Sequence, residues 1–238
     1  MDGSIFFEEN PFSLWSLSHG LPVLLYFLFA TTVIWYAKTK VTALDKKKRI
    51  LFWLSLIPFT ALIVQNLIKL SIGQWTAQED LPFHICRILA LFAPLVYLKD
   101  NKFWTGVFYF WILVGTLNAV IAADIRFDFP HYNYFSYFIL HIGLIPLPIY
   151  HCYILGRKID RRDLWNTYWL ANVFLLATMA INFTIESNYM FTRHKPVVAS
   201  LMDHLGPWPW YLVVLQFIGL FLFCLVYLPF VLRGKSKG

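Results

Sequence analysis

The feature that most constrains this chain is a series of seven apolar runs, each near the length that crosses a bilayer, separated by short polar loops. A helical span needs roughly 20 residues to cross roughly 30 Å of hydrocarbon. The runs fall at about 19–37, 50–72, 81–98, 103–123, 133–155, 165–186 and 210–232. Apolar residues make up 59% of the 238 and charged residues only 14%, a balance that no water-soluble domain covers with polar surface. The expected fold is all-α: a single polytopic domain over residues 1–238, built as a bundle of seven transmembrane helices. Pro58, Pro94, Pro146, Pro148 and Pro229 lie inside the runs and predict kinks that neighbouring helices can absorb. No internal repeat is visible, so nothing points to the inverted-repeat architecture of many transporters.

Loop charge sets the expected orientation. A net charge of +7 would suit nucleic acid, but the basic residues cluster in short loops, so no nucleic-acid partner is expected. The first loop holds Lys38, Lys40, Lys46, Lys47, Lys48 and Arg49; the third Lys99 and Lys102; the fifth Arg157, Lys158, Arg161 and Arg162; the tail Arg233, Lys235 and Lys237. The amino terminus and the even loops hold only Arg126, Arg193 and Lys195. By the positive-inside rule the amino terminus lies outside and the carboxyl terminus in the cytoplasm, which an odd number of spans satisfies. The amino terminus carries Asp2, Glu8 and Glu9 without Lys or Arg, and no small-residue cleavage site follows the first run. The first span therefore reads as retained, in a multi-pass protein of the plasma membrane.

With that orientation the intramembrane polar residues gather toward the outer side: His19, Gln65, Asn66, Lys69, His84, Cys86, Arg87, Asn118, Asp124, His141, Asn182, Glu186 and Gln216. Ionisable groups at such depth are costly and mark function by default. An outward-facing polar pocket is the economical reading. The long loop over 187–209 carries prolines, a glycine and interfacial aromatics, and is placed to act as a lid. Asn182-Phe183-Thr184 matches a glycosylation sequon but lies inside a span and is discounted.

Leu81-Pro82-Phe83-His84-Ile85-Cys86-Arg87 is the densest chemical stretch. The three cysteines, Cys86, Cys152 and Cys224, all lie in apolar runs, so no disulfide framework is expected. Cys152 and Cys224 read as small hydrophobes. Cys86 sits one turn past Pro82 and beside Arg87, and a helix amino terminus and a cation both favour the nucleophilic thiolate. On a regular helix His84 points away from Cys86, so a base must come from another span. His141, eight residues into the fifth run, lies within ~5 Å of the same depth; its alternative role is a hydrogen bond across the bundle. Arg87 reads either as one half of an ion pair with Asp124 or Glu186, or as a fork for a lipid phosphate, with Lys69 or Arg193 beside it. His84, His141, Asp124 and Glu186 are metal-ligand types, but no tight His-x-x-x-His pair occurs within a span, so no metal is expected.

Beyond these residues, Leu-Pro-x-His-x-Cys at 81–86, Ala123-Asp124, His141 followed by Gly143, Asn188-Tyr189-Met190 through Lys195-Pro196, and Leu205-Gly206-Pro207-Trp208-Pro209-Trp210 resemble the YwaF-type bacterial integral membrane family over nearly the whole chain. The eukaryotic relative of that family resembles a cysteine-dependent transmembrane phospholipid acyltransferase, more distantly related to membrane hydrolases of fatty-acid esters that use threonine and histidine. By position, the resemblance implies Cys86 as nucleophile and His141 as its histidine. Arg87 departs from the smaller polar residue that many relatives place there.

The expected activity is acyl transfer or ester hydrolysis on a membrane lipid: Cys86 attacks an acyl carbonyl, His141 takes and returns the proton, and a thioester divides the reaction. Asn118 or Asn182 is the expected oxyanion donor. Arg87, His84, Asn118, Asp124, Asn182, Glu186, Asn188 and Tyr189 form the expected substrate-binding set. No redox-cofactor or nucleotide signature is present, so no cofactor is expected. The rival reading is a transporter or receptor that binds a small polar or lipid ligand in the same pocket.

Overall fold

The structure is a computed structural model that describes residues 5–196 and 201–235; the lid residues 197–200 lie outside the described residues. Among the described residues every regular element is helical, and an isolated antiparallel bridge joins Pro11 to Phe127. The helices are α1 (Leu17–Thr39), α2 (Leu44–Ser71), α3 (Ile85–Lys99), α4 (Lys102–Phe110), α5 (Leu117–Ile121), α6 (Tyr132–Leu144), α7 (Pro146–Tyr153), α8 (Arg161–Ile185) and α9 (Trp210–Lys235). A π-helical segment, Trp111–Thr116, fuses α4 to α5, and α6 runs into α7 with Pro146 at the start of the second piece.

Six of these units are long and apolar enough to cross a membrane. The third run, 81–98, behaves differently. The sequence starts its helix at residue 81, whereas α3 starts at Ile85 and has 15 residues, about 22 Å at ~1.5 Å each. Residues 81–84 are instead held by another loop: Leu81 N–H donates to the Tyr189 hydroxyl at 2.9 Å. Non-helical backbone at membrane depth is tolerated where protein satisfies it in this way.

The ends of the helices follow local chemistry. Ser16 caps α1 through His19 N–H, Asn101 caps α4, and the His131 ring caps α6 through Asn133 N–H. Asp160 and Asp163 form a reciprocal capping box at the start of α8. Asp163 also accepts from Arg157 at 2.9 Å, and a Cβ on Gly106 would lie 2.7 Å from its Oδ1, so α4 and α8 meet closely only because residue 106 is glycine.

Burial separates an inner core from an outer ring. Over half of the apolar window is buried in Lys102–Ile121 and Tyr132–Tyr153, against 6% in Leu17–Thr39 and 11% in both Arg161–Ile185 and Trp210–Leu232. The core is thus α2, α3, α4 to α5 and α6 to α7, with α1, α8 and α9 presenting most of their apolar surface to lipid. α2 runs through Pro58 as one α-helix. Its ring sits in the hollow at Gly143 of α6, where an added Cβ would lie 3.3 Å from Pro58 Cδ, so α2 and α6 cross at short range. The candidate site lies at the end of the bundle where α2, α5 and α8 finish and where α3 and α6 begin.

Candidate functional site

Cys86 is the second residue of α3, and its half-buried thiol lies 3.5 Å from the Thr116 hydroxyl at the end of the π segment. The π turn brings Thr116 to this position: one extra residue per turn widens the helix, and such turns recur at functional sites. Gly115, its neighbour, faces Ile85, whose Cγ2 would lie in ordinary contact, 3.4 Å, from an added Cβ. Thr116 is fully buried, so its contact with the thiol is sheltered from solvent.

His141 enters from α6. Its Nδ1 lies 2.8 Å from the Tyr137 carbonyl oxygen, and its ring lies against the Tyr137 ring with centroids 4.0 Å apart. A carbonyl only accepts, so in the neutral imidazole Nδ1 carries the proton and Nε2 keeps its lone pair. Nε2 has no hydrogen-bond partner among the described residues. Tyr137 is itself fixed: its hydroxyl donates to Ala119 O at 2.7 Å and accepts from Asp124 N–H at 3.2 Å. It is also within electrostatic reach of the Cys86 thiol. Cys86 and His141 are not hydrogen-bonded to one another; they stand on α3 and α6, which pack against each other and against the π segment.

His84 does not lie on α3. It is the residue before the helix, in extended conformation, with its carbonyl accepting from Arg87 and Ile88 N–H. The helical geometry that sets it opposite Cys86 therefore does not hold. Its ring packs edge-on to Tyr189 and tilted against Phe191, and its Nδ1 accepts from Met190 N–H at 3.4 Å. It is within electrostatic reach of both Arg87 and His141.

The segment that covers His84 is the first half of the expected lid. Asn182, buried at the end of α8, donates to Tyr189 O and Thr192 Oγ1 and accepts from Ser187 Oγ and Tyr189 N–H. Asn188 performs the same service further along, accepting from Arg193 and His194 N–H and donating to His194. Tyr189, fully buried, carries the loop across to the α2–α3 connection, where its hydroxyl donates to Ala77 O at 2.7 Å and accepts from Leu81 N–H. Met190 reaches the helix itself, with Ile85 N–H 3.4 Å from its sulfur.

Arg87 finds neither Asp124 nor Glu186. Its guanidinium donates to Glu79 O at 2.8 Å and lies 3.4 Å from Asp80 Oδ1, which Lys69 holds at 2.6 Å. Asp80 also accepts from Thr76 N–H, and its side chain is only 1% exposed. One buried carboxylate is thus shared by two cations. Asp124, Glu186 and Asn118 are exposed, and the Asn118 amide donates to Val114 O one turn earlier. Asn182 spends both amide protons on the loop, which leaves it none for an oxyanion. Asp80, Thr116 and Tyr137 are absent from the expected set. Only Asp80 carried a signal, as the carboxylate immediately before the Leu-Pro motif; nothing in the sequence marks the π turn that presents Thr116.

Among the described residues no group of three or more His, Cys, Asp or Glu is arranged to hold a metal ion. A groove of about 890 Å³ lies between α2 and α6 beneath Phe6 and Phe7, lined by Trp53, Ile57, Tyr132, Phe135 and Ile139 among others; it does not include Cys86 or His141.

These features define a multi-pass helical membrane protein with a thiol, a hydroxyl and a singly committed imidazole gathered at one end of its core. A family profile matches residues 14–227, and the chain belongs to the TMEM164 family. No curated protein and no solved structure matches it.

Proposed function

We propose that this protein transfers or hydrolyses an acyl group of a membrane lipid through Cys86 and His141. One observation carries the reading: His141 is fixed by Tyr137 with a lone pair free on Nε2, on a helix that packs against the one whose amino terminus holds the half-buried Cys86 thiol. A base oriented by a second group is the arrangement that activates a nucleophile. The thiol proton passes to Nε2 as sulfur bonds to the acyl carbonyl, and the ester oxygen leaves with that proton. A second alcohol or water then attacks the thioester, handing its proton to Nε2 and restoring the thiol. Hydrogen bonds of this kind are often long in an unliganded site and tighten with substrate.

The reading includes α3 as a seventh, shorter crossing, an external amino terminus, a cytoplasmic carboxyl terminus and residence in the plasma membrane. The basic loops support it, with Lys48, Lys102 and Arg157 all at the end opposite Cys86. Lys69 and Arg87 meet on the buried Asp80, with the exposed Glu79 carboxylate 4.0 Å from Lys69, and a lipid phosphate reaching this cluster would find both cations. Purified protein incubated with phospholipid vesicles and analysed by intact mass is expected to gain an acyl adduct that Cys86→Ala lacks. Uptake of a solute with no adduct and no acyl product would instead favour transport.

A further inference from the structure

The expected oxyanion donors, Asn118 and Asn182, are both committed elsewhere, yet a tetrahedral intermediate at Cys86 needs donors near it. Two N–H groups at the start of α3 have no acceptor on another residue among the described residues. The first is the Cys86 amide. The N–H groups of Ile85, Arg87 and Ile88 go to Met190 Sδ and His84 O, whereas that of Cys86 has no backbone partner among the described residues and lies against its own thiol. The second is His84. Its Nδ1 accepts from Met190 N–H, so the neutral ring carries its proton on Nε2. No protein acceptor meets that Nε2 among the described residues. The two histidines thus hold opposite tautomers: His141 offers a lone pair at Nε2, His84 an N–H.

We infer that His84 Nε2–H and the Cys86 amide form the oxyanion hole of this site, with the lid residue Met190 selecting the donating tautomer of His84. The inference rests on the acyl-transfer reading above. As the sulfur–carbon bond forms and the thiol proton moves to His141, the carbonyl electron pair shifts to oxygen, and the negative charge falls between these two donors. It returns when the C=O bond re-forms and the ester carbon–oxygen bond breaks, the leaving oxygen taking the proton from His141. The same two donors serve the second half, when the acceptor alcohol or water attacks the thioester. His84 in this role is a catalytic residue that touches the reacting oxygen and takes no proton. It also gives a role to the extended backbone of His84, which sits at the cap position before the first turn of α3.

The test uses full-length protein in detergent with the para-nitrophenyl ester of a long-chain fatty acid, whose leaving group needs no acid, and follows acyl-Cys86 by mass. Removing an oxyanion donor costs about a hundredfold or more. His84→Ala is therefore expected to slow acylation by about that factor, and His84→Gln, which places an amide N–H near the lost Nε2, to recover a large part of it. Iodoacetamide alkylation of Cys86 builds no oxyanion; it is expected to slow in His141→Ala and to keep its rate in His84→Gln. Equal acylation rates in the parent protein and His84→Ala overturn the oxyanion hole and leave the Cys86 nucleophile standing. No acyl adduct in the parent overturns both. A His84→Gln protein as slow as His84→Ala also counts against the donor role.

Discussion

His141 Nδ1 lies 2.8 Å from the carbonyl oxygen of Tyr137, one helical turn earlier, and the two rings lie together at 4.0 Å. The tautomer of a buried histidine is thereby set by its own helix, before any substrate enters. Tyr137 is in turn held by Ala119 O and Asp124 N–H beyond the π segment, so the orientation of the imidazole depends on α5 as well as α6. A rigid second layer of this kind is what keeps a reacting group in register with its partner.

If Cys86 and His141 act as one unit, replacing either with alanine removes most lipid-dependent turnover. A general base contributes about a hundredfold or more. The double variant is expected to be little slower than either single one, because effects within a catalytic unit do not add. Acyl release from labelled phospholipid, measured for the three variants, checks this. Full activity in Cys86→Ala would remove the nucleophile.

The ion cluster makes an asymmetric prediction. Arg87→Ala leaves Asp80 still paired with Lys69 at 2.6 Å, so the protein is expected to accumulate normally while using phospholipid poorly. Asp80→Ala leaves two nearly buried cations facing each other with only the exposed Glu79 carboxylate, 4.0 Å from Lys69, as counter-charge, a loss of about 3 kcal/mol or more. Yield and thermal unfolding in detergent are expected to fall for Asp80→Ala alone. Equal losses in both would make Arg87 a structural residue.

Much of this was legible in the sequence because it depends on composition and local pattern. Apolar runs gave the membrane helices, and the Leu-Pro-x-His-x-Cys stretch and His141 mark residues that the fold brings to one end of the core. What stayed hidden depends on departures from regular helix. A 3.6-residue period applied through residues 81–86 sets His84 opposite Cys86, and only the Tyr189 bond to Leu81 N–H, more than a hundred residues away in the chain, unwinds that turn. Likewise no residue type announces a π turn at Trp111–Thr116. Arg87 was matched to carboxylates at similar depth, but the nearer one in space is Asp80, in the loop before the run.

Asn182 has four hydrogen bonds to satisfy and finds all of them within ten residues. Asn182→Ala leaves the Tyr189 N–H and carbonyl and the two hydroxyls short of partners, at about 1 to 3 kcal/mol for each buried group left unpaired. Proteolysis is therefore expected to cut the variant between 186 and 196 at a dose that leaves the parent intact. Resistance equal to the parent would show that Asn188 and Tyr189 suffice to hold the loop.

Tyr189→Phe is the finest test of the lid, because it removes one oxygen and keeps the ring against Phe83 and His84. The hydroxyl bridges Ala77 O and Leu81 N–H, so its loss unpairs both and loosens the loop from the α2–α3 connection while Asn182 and Asn188 still fold the loop on itself. A looser lid admits water to the thioester. Water and an acceptor alcohol compete for that intermediate, and excluding water is what a closed site contributes to transfer. The expected outcome is a shift in partition: more free fatty acid per acyl chain transferred, with thioester formation on Cys86 little changed. Chromatography of both products from labelled phospholipid measures the ratio directly. An unchanged ratio together with faster proteolysis of residues 187–196 would mean that the loop moves without controlling water, and the lid would then be only a structural cover.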